Sequence, residues 1–210
     1  MAGTNTHTRD FFVSRFGTVK NISSINYLNN INSRLAQVPF SDPSINQRFK
    51  DLNVIILRTG DPIALSLQNN EVLLSLGILD LLQNEPELAF LISHELAHVI
   101  LNHHTQNKKR AGDAIPLELE ADLFALQVIK AAGYPASASI SALINTYGTE
   151  KFVAPEIEYS KINHENFEHP SLKKRLYNLR IHIDSSEFHK EQNDMIISNR
   201  DFIAFKRSLL

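Results

Sequence analysis

The chain has 210 residues, of which 43% are hydrophobic and 21% are charged, and its formal net charge is −2. This composition is typical of one globular domain with a real core, and it argues against a general attraction to nucleic acid or to anionic membranes. Because the chain has no cysteine, disulfides, thiolate catalysis and cysteine-ligated metal sites are excluded, and any metal site must use histidine and carboxylate ligands.

No stretch of the sequence reaches the roughly 18 consecutive apolar residues that a membrane helix needs. The most apolar region, Leu88 to Leu101, is interrupted by two histidines and a glutamate. Residues 1–10 lack the apolar core of a signal sequence. We therefore expect no integral membrane segment. The sequence does not determine the cellular compartment. We expect the cytoplasm if this is the full chain, and the bacterial periplasm or cell envelope if a signal sequence was removed.

The first third of the chain predicts a flexible start, one helix and a small sheet. Residues 1–19 are expected to be a flexible N-terminus ahead of a single domain over residues 20–210. Apolar residues at helical spacing predict an amphipathic helix over about 20–37. Three short apolar segments then predict a small, mostly antiparallel sheet, over residues 53–58, 63–67 and 72–76.

Helices dominate the rest of the chain. Asn84 is the predicted N-cap of a long helix running to about residue 107, and Glu87 is its capping-box partner. Further helices are predicted over 116–133, 135–145 and 172–183. The intervening residues 148–170 show no periodicity, and connections of this length are often functional. The fold class is therefore α+β, mainly helical, with the sheet lying over the long helix.

The sequence His94-Glu95-Leu96-Ala97-His98 lies in the middle of that long helix. Positions four apart share a helix face, so His94 and His98 can reach one metal ion. Glu95 points to the side, where it can accept a proton from a metal-bound water. A chance match and a satisfied polar network are the alternatives. The flanks are apolar nearly all round, however, so burying these side chains without a metal would be costly.

A catalytic zinc usually has three protein ligands and one water, so a third ligand is expected downstream. Glu118 and Asp122 are four residues apart and share a helix face, whereas Glu120 is turned away from both. We assign Glu118 to the metal. We expect Asp122 to accept the free ring N–H of a ligand histidine and so fix its tautomer. The alternative is a solvated acidic helix start.

Four further residues are weaker candidates by sequence. His103 and His104 follow the motif by most of a turn or more, and we interpret them as hydrogen-bonding or surface residues. His169 closes the aperiodic segment, and Arg175 lies on the polar side of the last helix. Without other information, these two indicate a surface turn and a solvated charge.

Taken together, these positions resemble the gluzincin-type zinc metallopeptidases that include the CAAX prenyl endopeptidase, HtpX and BepA-like periplasmic proteases. The resemblance covers roughly residues 20–185. It depends on four motifs: His-Glu-x-x-His, Glu-x-x-Ala-Asp, Ala-Gly-Tyr, and His-Pro with an Arg five residues after the Pro. They are matched by His94 to His98, Glu118 to Asp122, Ala132 to Tyr134, and His169-Pro170 with Arg175.

The resemblance implies a zincin-like, zinc-dependent endopeptidase with one Zn²⁺ per chain. It implies that the protein hydrolyses extended or unfolded polypeptide, as in protein quality control, with Glu95 as the general base. It places His169 and Arg175 near the metal, where His169 would stabilise the oxyanion or cap the zinc and Arg175 would assist with the oxyanion. It also implies that substrate binds along an edge strand near residues 70–76. The soluble branch is the better match, because the membrane helices of the prenyl endopeptidase and HtpX have no counterpart in this sequence.

One alternative is a non-catalytic, zinc-stabilised protein-binding module. Two departures from the family pattern favour it. Asp61-Pro62-Ile63 stands where the family usually has Asn-Ala-Phe, and Asn69-Asn70 stands where it usually has Gly-Gly. A zinc hydrolase acting on a non-peptide substrate is a third alternative. The sequence does not indicate an oligomeric state.

Overall fold

The computed structural model describes residues 2–106, 114–148, 171–183 and 195–209. Most of these residues are helical, as the sequence predicts. The helices are α1 Ala2–Phe16, α2 Ile22–Leu35, α3 Pro43–Lys50, α4 Leu76–Leu81, α5 Glu85–Ile100, α6 His103–Gln106, α7 Ala114–Ala131, α8 Ser137–Tyr147, α9 Leu172–Arg180 and α10 Met195–Ser208. The strands are β1 Asn53–Leu57, β2 Ala64–Leu67 and β3 Glu71–Ser75.

The three strands form one mixed sheet in the order β1-β3-β2. Strands β2 and β3 form an antiparallel hairpin, whereas β1 pairs with β3 in parallel. The hairpin turn places Asn70 at a φ of 65°, and Asn tolerates this left-handed conformation better than most residues. The predicted α+β architecture is confirmed, but the sheet is mixed instead of mostly antiparallel.

Strand β3 lies in the centre of the sheet and is paired on both sides. The expectation that residues 70–76 form an edge strand is therefore wrong. The outer side of β1 makes an antiparallel bridge between Leu57 and Thr18. Within the described part of the chain, β2 is the strand whose outer side has no strand partner.

Helix α5 is the central element of the core. Asn84 caps it as predicted: its side-chain oxygen accepts a hydrogen bond from the Glu87 amide at 3.0 Å. Nearly every residue of the helix is buried, including its charged positions. Helices α7 and α8 and the strands β2 and β3 all pack against it. A helix enclosed on several sides can hold polar side chains in a dry site, provided that they find partners.

The structure has a helix near each end of the chain. Helix α1 lies within residues 1–19, for which the sequence predicts a flexible N-terminus, and its Phe12 packs in a small cluster with Leu57 and Leu73. Helix α10 has no counterpart among the predicted elements. It packs against α2, where the rings of Phe205 and Tyr27 stack with centroids 4.5 Å apart. No helix in the described ranges is long and apolar enough to cross a membrane.

Candidate active site

Two packed helices bring the predicted metal ligands together. Helix α5 supplies His94 and His98, and α7 supplies Glu118. The two Nε2 atoms are 3.2 Å apart. The Glu118 carboxylate oxygens lie 3.5 Å from His94 Nε2 and 3.4 Å from His98 Nε2. These three side chains form a cluster that could hold a metal ion. The sequence-based ligand set is thus assembled in space.

The spacing of the three donor atoms fits a tetrahedral zinc site. Zinc bonds of about 2.0–2.1 Å at tetrahedral angles separate neighbouring ligand atoms by about 3.3 Å. The three distances of 3.2, 3.5 and 3.4 Å agree with this value. The donor set, two imidazoles and one carboxylate, is also a usual one for catalytic zinc. The residues present therefore fit the metal that the family resemblance implies.

Asp122 contacts the first ligand from the other side of its ring. Its Oδ1 lies 3.0 Å from His94 Nδ1, and Asp122 is fully buried. Burial alone would lower the pKa of His94, but the Asp122 and Glu118 carboxylates outweigh it and raise the pKa to about 10. A carboxylate at this position orients the ring and makes its free nitrogen a stronger ligand.

The second ligand has a different environment. Burial holds the pKa of His98 well below its ordinary value, and the positive charge of a protonated His94 lowers that pKa further. This lowered pKa favours the neutral imidazole, which is the form that binds a metal. Its second nitrogen, Nδ1, lies 3.1 Å from Nδ1 of His103. The sequence did not single out His103 as part of the site.

Arg175 is buried against the carboxylates of the site, with 1% of its surface exposed. Its Nε and one terminal nitrogen donate to Asp122 at 2.8 and 2.6 Å, and the other terminal nitrogen lies 3.2 Å from Glu118. Burial would raise the pKa of Asp122, but the Arg175 guanidinium outweighs it and lowers the pKa. All three guanidinium nitrogens thus contact carboxylates. This geometry favours a positioning role through Asp122 and Glu118 over contact with an oxyanion.

The remaining predicted residues are Glu95 and His169. Glu95 lies on α5 directly after the first ligand and is 5% exposed. His169 lies outside the described residues. Tyr147 is a neighbour that the sequence did not indicate: the Arg175 guanidinium carbon is 4.3 Å from the centre of its ring. A tyrosine at the end of an amphipathic helix carries no distinguishing sequence signal.

Two family models match the chain. The peptidase U49 model matches residues 87–193, which is just over half of the chain. The chain belongs to the peptidase U49 family. The peptidase family M48 model matches residues 27–112. No curated protein matches the chain. The predicted membership in an M48-type zinc metallopeptidase family is confirmed.

Both matches include residues 87–112, the segment that carries His94, Glu95 and His98. The U49 match continues over the segment that carries Glu118 and Arg175. This U49 peptidase is therefore a protease of a metal-dependent type. Among the residues that the structure describes, the cluster on α5 and α7 could bind the metal.

Proposed function

We propose that this U49 peptidase is a zinc-dependent endopeptidase that hydrolyses extended or unfolded polypeptide. The observation that carries the proposal is the tetrahedral spacing of the donor atoms of His94, His98 and Glu118, described above. These atoms lie in a largely buried region of the molecule. Water is scarce in such a region, so electrostatic interactions are stronger there.

Each residue of the site has a separate task in this proposal. His94, His98 and Glu118 hold the metal. A zinc ion held by them would polarise the scissile carbonyl and activate a water at neutral pH. Glu95 takes the proton of the attacking water and passes it to the leaving amine. Asp122 fixes the tautomer of His94.

The role of His169 remains a proposal based on the family resemblance alone. An imidazole near the metal would donate a hydrogen bond to the oxyanion that forms on the scissile carbonyl. Arg175 positions Asp122 and Glu118, the two carboxylates that it contacts.

For the substrate, we propose strand addition at β2 instead of β3. The Ser75 amide donates to the Ile63 carbonyl at 2.9 Å, so the backbone groups of Ile63 face β3. Because these groups alternate in direction along an antiparallel strand, the backbone groups of the next residue, Ala64, and of Ser66 point away from β3. An extended peptide would pair with them. Both residues are 3% exposed, so this edge must become more accessible before a peptide can bind.

Replacing Ser66 by Pro is expected to raise KM for an unfolded-peptide substrate at least severalfold. The change removes the N–H that points outward and leaves the hydrogen bonds between β2 and β3 intact. Steady-state kinetics on a quenched fluorescent peptide measures the effect. Ser66→Ala is the matched control, because it keeps the N–H and loses the hydroxyl. Equal KM values for the two variants would contradict strand addition at β2.

The proposed function itself is tested by metal content and cleavage. Purified protein is expected to hold about one Zn²⁺ per chain, because a set of three protein ligands forms one catalytic zinc site. Elemental analysis measures the zinc, and mass spectrometry detects internal cleavage of an unfolded protein such as reduced casein. Protein that neither contains zinc nor takes it up would contradict the proposal. Protein that binds zinc and cleaves nothing would support the alternative, a non-catalytic binding module.

A further inference from the structure

The two ligand histidines are supported by different partners at their second ring nitrogens. His94 Nδ1 faces the Asp122 carboxylate at 3.0 Å. His98 Nδ1 faces His103 Nδ1 at 3.1 Å, and His103 Nε2 in turn lies 3.2 Å from the Glu120 carboxylate. The second ligand is therefore followed by a chain of two further side chains.

The chemistry of imidazole allows one arrangement of protons along this chain. A metal on Nε2 of His98 leaves the proton of the neutral ring on Nδ1, which must donate. His103 Nδ1 must then accept, so the proton of its own neutral ring is on Nε2 and is donated to Glu120. Each ring has one donor and one acceptor, and the carboxylate accepts at the end. In this arrangement, no contact along the chain brings two N–H groups face to face.

The position of His103 suits this task. The residue is fully buried, although it lies on α6, a helix of four residues that follows the end of α5. Asn102, with a φ of 57°, turns the chain between the two helices. Glu120 is on α7, the helix that also supplies Glu118, and its side chain is 62% exposed. The contact thus connects α6, which follows the C-terminal end of α5, to the helix that carries the third ligand.

We propose that His103, assisted by Glu120, is a positioning residue for the metal ligand His98. It orients the ring of His98, fixes its tautomer and makes Nε2 a stronger donor to the metal. The inference depends on the proposed zinc site and adds two residues to it. A residue that hydrogen-bonds to a metal ligand in this way typically contributes about 10–100-fold to metal affinity.

Zinc affinity of the full chain, measured by competition with a chromophoric chelator, tests the proposal without using activity. His103→Leu removes the acceptor and is expected to weaken zinc binding about 10–100-fold. His103→Asn keeps a side-chain oxygen near the position of Nδ1 and is expected to restore most of the affinity. Glu120→Ala removes the end of the chain and is expected to give a smaller loss.

His104 provides a matched control on the same short helix. Its Nε2 lies 3.3 Å from the Ser66 hydroxyl. Its ring centre is 6.4 Å from the ring centre of His98, which is too far for a hydrogen bond between the two rings. His104→Leu is therefore expected to leave zinc affinity unchanged. Equal losses in His103→Leu, His103→Asn and His104→Leu would mean a general disturbance of α6 and would overturn the proposal.

The outcomes separate this proposal from the function on which it depends. Wild-type protein that binds no zinc contradicts both. Wild-type protein that binds zinc tightly, with no loss in His103→Leu, contradicts the role of His103 alone. If His103→Leu does not fold, the zinc affinity of Glu120→Ala tests the proposal instead, because an exposed side chain can be removed without disturbing the core. Unchanged zinc affinity in that variant would then overturn the proposal.

Discussion

Replacing Glu95 by Gln is expected to lower turnover of a peptide substrate by about 10²–10⁴-fold, the usual contribution of a general base, while zinc remains bound. The amide has nearly the shape of the carboxylate but cannot take up a proton from the attacking water. Since Glu95 is not among the three clustered ligands, its loss leaves the donor set complete. Turnover is measured as kcat on a fluorescent peptide, and zinc by elemental analysis of the same sample.

Variants of the ligands provide the contrast. His94→Ala and Glu118→Ala are expected to lose zinc and activity together, because each removes one of only three protein ligands. Near-full turnover in Glu95→Gln would show that the base is misassigned. Tight zinc in Glu118→Ala, together with complete loss of zinc in Glu120→Ala, would show that the third ligand is misassigned.

Replacing Arg175 by Met is expected to lower the free energy of unfolding of the metal-free protein by about 3–5 kcal/mol, as the removal of one partner from a buried ion pair does. Arg175 is 1% exposed and contacts Asp122 and Glu118. Without it, two buried carboxylates lose one of the cationic partners that compensate them, and His94 stays beside both. Urea unfolding in the presence of a chelator measures the loss. Added zinc is expected to recover part of it, because the metal compensates Glu118.

Arg180 is the matched control for this prediction. It lies on the same helix, α9, and is exposed to solvent. Arg180→Met is expected to change the free energy of unfolding by less than about 0.5 kcal/mol. The loss of unfolding free energy in Arg175→Lys is expected to lie between the losses in Arg175→Met and Arg180→Met. An ammonium keeps the charge but cannot reproduce the planar, two-point contact with Asp122. A stability of Arg175→Met equal to that of wild type would contradict the structural role.

The sequence alone determined the features that depend on neighbours along one helix. Asn84 and Glu87 predicted the start of α5, because a capping box is formed within four residues. The spacing of His94 and His98 predicted a shared ligand position, because residues four apart lie on one face. The same rule separated Glu118 from Glu120 on α7. In each case the geometry is set by 3.6 residues per turn and needs no knowledge of the rest of the fold.

Only the tertiary structure decided which distant segments meet. The hairpin of β2 and β3 is local, but the parallel pairing of β1 with β3 depends on the path of the chain between them, and that pairing moved residues 70–76 from the edge of the sheet to its centre. Arg175 looked like a solvated charge because nothing within a helical turn of it is acidic; its partner Asp122 is 53 residues away.

His103 is close to His98 in sequence, yet no periodicity connects them, because the helix ends between them and the turn at Asn102 reorients the chain. Helical patterns determine which side chains share a face. Which faces then pack together is decided by the burial of the whole core, which a local pattern does not contain.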